Sequence, residues 1–556
     1  MNEQKISIYQ VLPRLFDNKC ENCVPNGDIK TNGVGKMNAF TPKALAAIKD
    51  LGITHIWYIG LLEHATKTVF RGLPADHPAT VKGEAGSPYA IKDYYDVSPT
   101  LATSISKRME EFEGLVKRTH EAGLGCIIDF VPNHVARTYA SDSAPEGVPD
   151  FGSNDDTRVA FDPQNNFYYL PDQALTMGEG TSAYIENPAK VTGNDCFSSM
   201  PTHHDWYETV KLNYGVDYLN NKAPHFSPIP DTWKKMLDVL LYWADKGVDG
   251  FRCDMAEMVP IEFWCWSISE VRKSHPKILF IAEIYQTDLY QSYIQAGFDY
   301  LYDKVGLYDT LIKVLRGECP ASEISRIHFA QEHIKGHMLR FMENHDEQRL
   351  ASDFIIGDGD KAFPAMVIST LLGSTDGIMT YFGQEVGERG MDIEGFSGLD
   401  GRTTIFDYWS LGSMRRWIGK RNTYSGKDLT KDEISIREKY RTLLNTMLNH
   451  SALNKGKFFD LMYANNKQSI DHQYDYCFLR SDGTETFLVV VNFSSHLRRY
   501  DVTIPSHAFE ILGIKDLTPI ILEEVFTGNR GAAMLSSHEP IEVVVPPHGA
   551  AIYRMV

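Results

Sequence analysis

The chain has 556 residues, with 55 Lys plus Arg against 73 Asp plus Glu and a formal net charge of −18. That length admits more than one domain, and that charge gives no electrostatic reason to hold nucleic acid or an anionic membrane surface. A neutral, hydroxyl-rich partner fits better, and the absence of any run of about 20 apolar residues excludes a membrane-spanning helix from the expectations.

The first residues, MNEQKISIYQVLP, lead straight into a candidate strand and show no secretory pattern. A cytoplasmic protein is expected, or a periplasmic or secreted one from which a leader has been removed. Cys20 and Cys23 form a lone CxxC in a loop. Without a second pair they fall short of the usual zinc pattern, and structural zinc is only the minor reading. Cys126, Cys253 and Cys265 sit in or beside apolar segments and read as buried thiols.

From there the chain alternates short apolar runs with longer helical patterns, as repeated βα units do. Strands are expected at 7–13, 54–60, 125–132, 247–254, 278–285, 297–303, 337–343 and 377–382. Helical periodicity falls between them, at 104–122, 231–246, 260–273 and 361–372, with a last helix near 433–448. Eight such units predict an α/β fold, a closed (β/α)8 TIM barrel. Residues 136–217, rich in Gly, Asn, Asp, Pro and Tyr, are too many for an ordinary connection and predict an inserted domain after the third strand. The barrel then occupies 1–135 and 218–450. After residue 451 the segments LMYANN, YDYCFLR, ETFLVVVNFS, RRYDVTIP, PIILEEVF, EPIEVVVPP and AAIYRMV predict a C-terminal antiparallel β-sandwich over 451–556.

Acidic residues lie at the ends of separate barrel strands: Asp129, Asp254, Glu283 and Asp346. A parallel barrel gathers such residues at one mouth, and paired carboxylates in a cleft are the equipment for cleaving or transferring a glycosidic bond. Asp254 and Glu283 end adjacent strands, so they are the candidate nucleophile and acid/base. Arg252 lies two residues before Asp254 and shares its strand face, where it can hold the carboxylate ionised. Glu283 follows the apolar run LFIA, and burial beside an anion suits a proton donor.

The motifs give this reading a family. DFVPNH (129–134), GFRCDMAE (250–257), AEIY (282–285) and ENHD (343–346) resemble, in order and spacing, the four sequence signatures of the alpha-amylase family of retaining glycoside hydrolases, glycoside hydrolase family 13. GIMTYFGQE (377–385) and KLNYGVDY (211–218) resemble two further family segments, so the resemblance covers almost the whole chain. It implies Asp254 as nucleophile, Glu283 as acid/base, Asp346 as transition-state stabiliser and Arg252 as the residue orienting the nucleophile. It also implies that His134 and His345 hydrogen-bond the sugar at the cleavage point and that Tyr89 stacks on it. Asp129 then supports the site from its floor, Asp93 is structural, and Tyr94 and Tyr95 are core residues. Phe167, Tyr168, Tyr169 and Trp206 in the insertion are candidate outer sugar platforms.

The resemblance implies an alpha-glucan or maltooligosaccharide substrate, with alpha-1,4 hydrolysis as the leading activity and transglycosylation or narrow alpha-glucosidase action as the alternative. No cofactor is required for that chemistry. A structural calcium ion is compatible with the family pattern through Asn133, with Asp162 or Asp172 from the insertion. One departure stands out. Where many amylases carry Lys–His beyond the nucleophile, this chain has Glu257 and Met258. Glu257 is therefore a candidate for binding an acceptor hydroxyl.

Overall fold

The computed structural model describes residues 5–177, 184–465 and 469–556. Eight strands form the expected closed barrel. They are β1 (Ser7–Val11), β2 (His55–Tyr58), β3 (Gly125–Phe130), β4 (Gly250–Cys253), β5 (Leu279–Ala282), β6 (Tyr300–Tyr302), β7 (Met338–Phe341) and β8 (Gly377–Tyr381). Each pairs in parallel with its neighbours, and β8 returns to β1. Helices cover the outer face, so these strands are buried on both sides and read as continuous apolar runs. Most observed strands are shorter than the sequence pattern, and this sharpens the placement of the acids. Asp254 and Glu283 are the first residues beyond β4 and β5. Cys253 and Ala282 are register partners, so both carboxylates leave the same rim.

The main helices are α1 (Arg108–Glu121), α2 (Asp231–Asp245), α3 (Ile261–Ser274), α4 (Phe363–Leu371) and α5 (Lys431–Asn449). In α2, buried Trp233, Met236, Leu240 and Trp243 recur three or four residues apart, the spacing of one helix face. Every residue of α4 is buried, because it lies between barrel and C-terminal sheet. A capping box starts α5: Glu433 N donates to Thr430 Oγ1 and Thr430 N to Glu433 Oε2. Such a cap contributes about 1 kcal/mol. Among the described residues no helix is long and apolar enough to cross a membrane.

The insertion leaves β3 through a neck in which His134–Ala136 pairs antiparallel with Thr209–Lys211, His134 opposite Lys211. Farther out, Tyr169–Leu170 pairs with Ala189–Lys190. Residues 178–183 of the expected inserted domain lie outside the described residues. The expectation of sugar platforms at Phe167, Tyr168 and Tyr169 is corrected here. These side chains are 4%, 2% and 6% exposed and fill the interior of the insertion. A unit of short strands has little other apolar material to bury. Tyr94 and Tyr95 are buried, as expected. Cys126 and Cys253 are buried thiols as well, but Cys265 is exposed, on the outer side of α3.

The C-terminal region comprises β9 (Lys457–Asp460), β10 (Asp475–Ser481), β11 (Thr486–Asn492), β12 (Arg498–Val502), β13 (Thr518–Glu524), β14 (Arg530–Leu535), β15 (Ile541–Val545) and β16 (Gly549–Met555). Six strands form one antiparallel sheet in the order β9-β10-β11-β16-β13-β14, and β12 pairs with β15. The expected strand at LMYANN is instead a turn through Asn465, with Asn466 outside the described residues; the strand precedes it. The small, exposed residues of β14 and the short helix Ser506–Leu512 gave no pattern to read.

Candidate active site

Arg252 organises the mouth of the barrel. It is fully buried, on the penultimate residue of β4. Its Nη1 lies 2.6 Å from Asp254 Oδ1, and its Nη2 lies 2.7 Å from Glu283 Oε2. One guanidinium thus spans both carboxylates. It also lies over the rings of Trp57, Tyr89 and Tyr302, with centroid distances of 5.2, 5.4 and 5.5 Å. Asp129, beside Arg252 in register, is 3.6 Å from Nη1 and accepts from the Tyr89 hydroxyl at 3.4 Å. It lies beneath the site as expected, and burial raises its carboxyl above the ordinary value despite Arg252.

Glu283 is held at both oxygens. Oε2 accepts from the Met255 backbone N–H at 2.7 Å, and Oε1 accepts from the Tyr285 hydroxyl at 2.7 Å. Met255 reaches that position through a left-handed backbone, φ 43°, unusual for a non-glycine residue and typical of functional turns. Burial raises the Asp254 carboxyl well above its usual range; Arg252 opposes this and Glu283 adds to it. Of the groups around Asp254, Arg252 is the one that favours its ionised form.

Opposite them, Gln10 Nε2 donates to His345 Nδ1 at 3.0 Å, which leaves the proton on Nε2, 3.0 Å from Asp346 Oδ2. Enclosure in the cleft works against ionisation of Asp346, but the His345 contact holds its carboxyl below the ordinary value. The Tyr89 ring stacks on His345 at 5.1 Å and 24°. His134 is pushed down to about 3, first by burial and then by Lys211 and Lys82, so its imidazole is neutral and bonds by dipole alone. Trp206 packs on His134 with centroids 5.2 Å apart. Asp254, Glu283, Asp346, Tyr89, His134, His345 and Trp206 line a single pocket of about 270 Å³.

The structure corrects two expectations. Glu257 does not line this pocket. Its Oε2 accepts the backbone N–H groups of Tyr285 and Gln286, at 3.0 and 2.9 Å. It pins the loop that follows Glu283. The expected calcium ligands are engaged elsewhere. Asn133 Oδ1 accepts from Lys211 Nζ at 2.9 Å, and the same ammonium lies 2.5 Å from Asp195 Oδ1. Asp162 is engaged in its own turn, accepting from Gln164 N at 2.8 Å, and Asp172 is exposed at a left-handed turn. With a buried ammonium already on Asn133, these residues do not fit a divalent cation.

Sequence reasoning missed Tyr285, Gln10 and the wall of the pocket. That wall includes Lys82, whose Nζ is 3.0 Å from Glu208 Oε2. It also missed Arg402, whose Nε donates to the Asp346 carbonyl at 2.6 Å. Of these positions only Tyr285 belongs to one of the four signatures, and contact across more than fifty residues leaves no local signal.

Comparison with known proteins gives the family and the fold. The family model for the alpha-amylase catalytic domain matches residues 10–443. Alpha-amylase 3 of Dictyoglomus thermophilum is 24% identical over 469 residues, 81% of this chain and 78% of that protein. An alpha-1,4-glucan:maltose-1-phosphate maltosyltransferase of Picrophilus torridus is 25% identical over 212 residues, 37% of this chain and 24% of that protein. In fold, the chain matches a maltogenic alpha-amylase, AmyB of Thermotoga neapolitana, with TM-score 0.62, 20% identity and full coverage of both chains. A barrel with these carboxylates at its mouth, matched across its length by the family model, is an enzyme of the alpha-amylase family, glycoside hydrolase family 13.

Proposed function

We propose that the protein is a retaining hydrolase that cleaves alpha-1,4-glucosidic bonds in starch or maltooligosaccharides by double displacement. The observation that carries this reading is the Arg252 guanidinium bridging Asp254 and Glu283. A cation shared by both groups draws the two carboxyls together, which supports direct attack on the sugar over the wider spacing of an inverting pair.

Each oxygen has a distinct task. Asp254 Oδ1 is tied to Arg252, so Oδ2 attacks the anomeric carbon. Glu283 Oε2 is occupied by Met255 and Arg252, so the proton for the glycosidic oxygen travels on Oε1, beside the Tyr285 hydroxyl. The bond to the leaving sugar breaks as the covalent glycosyl-enzyme forms. Glu283 then takes a proton from water as that water attacks the same carbon and releases Asp254. Tyr89 supplies the stacking face, and Asp346, His345 and the neutral His134 grip the sugar hydroxyls. These grips strengthen as positive charge develops on the ring.

Substituting a sugar hydroxyl for water gives transfer, the activity in the name of the maltosyltransferase relative. A product time course by carbohydrate chromatography, on soluble starch, pullulan and maltoheptaose, separates the two. Net gain of reducing ends supports hydrolysis. Redistribution of chain lengths with no net bond loss contradicts it in favour of transfer.

A further inference from the structure

Four carboxylates that line no part of the catalytic pocket converge beside the neck of the insertion. Glu63 lies on the strand Leu62–His64, opposite Asp93 on Ile91–Val97. Asp96 follows on the latter strand, and Asp142 comes from the start of the insertion. One oxygen from each of the four lies within 4.8 Å of the others. Like charges this close destabilise one another unless something positive sits among them.

The protein supplies only part of that charge. Asp93 accepts from the backbone N–H groups of Tyr95, Asp142 and Ser143, and Asp96 from that of Val97. Arg108 holds Asp96 Oδ2 through both Nε, at 2.9 Å, and Nη2, the Ser143 hydroxyl donates to the same oxygen at 2.7 Å, and Nη2 is 3.8 Å from Asp142 Oδ1. Lys92 is engaged with Asp76 at 3.2 Å. Glu63 accepts no hydrogen bond and forms no ion pair among the described residues, and Lys92 only partly offsets its burial. Glu63 is 5% exposed, and its Oε2 is sealed from solvent. A buried carboxylate with no donor is among the costlier arrangements in a folded chain. Burial, with Asp96 next, pushes Glu63 up to about 8.

An all-oxygen set drawn from three chain segments, with no nitrogen or sulfur ligand, suits a hard divalent cation. Its irregular spacing suits calcium better than magnesium, which demands a near-octahedral shell. We propose that Glu63, Asp93, Asp96 and Asp142 bind one calcium ion, which staples the hairpin leading from Tyr89 to the base of the insertion. The site is separate from Asn133, where Lys211 already provides the positive charge.

The test uses the full-length protein stripped with chelator and titrated with calcium chloride, by calorimetry and by thermal melting. The expected result is one calcium per chain and a melting temperature raised by about 2 °C at a hundredfold excess over Kd. Glu63→Gln should weaken binding at least tenfold and remove the shift. Asp142→Asn, at an exposed position that should not disturb folding, should weaken it likewise. Neither variant touches the pocket residues. Absence of saturable calcium binding overturns the proposal. So does a full shift retained in both variants, since the ion then binds elsewhere. Binding of magnesium as tightly as calcium would overturn the choice of ion.

Discussion

At the scale of single residues, each functional group is defined by what holds it. Asp254→Asn removes the attacking oxygen while keeping the shape, so kcat should fall by about 10³–10⁵-fold, as for other nucleophile deletions. The melting temperature should hold or rise, because a buried charge beside Glu283 is gone; a melt run alongside the kinetics checks both. Glu257 acts through the backbone after Glu283. Glu257→Ala should therefore lower kcat by about tenfold and leave KM for long and short maltooligosaccharides in the same ratio. A KM change confined to acceptor-side sugars would restore the hydroxyl-binding role expected from sequence. For Glu63 the sign is fixed by its raised proton affinity, from 4.5 to about 8. Between those values the folded chain keeps a proton that the unfolded chain has released. Stability in chelator therefore falls as pH rises through that window and levels off above it. Chemical denaturation of wild type and Glu63→Gln across pH 5–8 should show the variant's advantage widening with pH.

At the scale of elements, the barrel strands were legible because burial on both faces leaves apolar runs, and each run stops at the rim where chemistry begins. Asp254 and Glu283 stand out in the sequence for that reason. The aromatic cluster Phe167–Tyr169 does not declare its role in the same way, since a platform and a small core have the same composition and packing alone separates them. Lys211 sits in a recognisable segment, but its reach to Asn133, 78 residues away, has no trace in local sequence. That contact ties the neck of the insertion to the end of β3. Lys211→Met should leave Asn133 and the partly exposed Asp195 without their cation, at a cost of about 2–4 kcal/mol once solvent screening of Asp195 is allowed for. Limited proteolysis should then cut the insertion faster than the barrel, and uniform protection would contradict this role.

At the scale of the whole molecule, the C-terminal sheet is bonded to the barrel through Arg480. This fully buried guanidinium on β10 donates to the carbonyls of Leu371, Gly373 and Gly456. Arg480→Met should leave several carbonyls unsatisfied between the two parts, destabilising by about 3 kcal/mol or more. A single melting transition at lower temperature is expected; an unchanged melt would show that the sheet is not coupled to the barrel. Such coupling was not visible in sequence, where the two parts differ in pattern and Arg480 reads as one more strand residue.

Asp254 and Glu283, bridged by Arg252, are proposed to carry out a retaining double displacement. The measurement that tests it most directly is proton NMR of the first anomer released from maltoheptaose, recorded before mutarotation. The alpha anomer is expected first, with no product from Asp254→Asn. A beta anomer from the wild type, or undiminished turnover by Asp254→Asn, would contradict it.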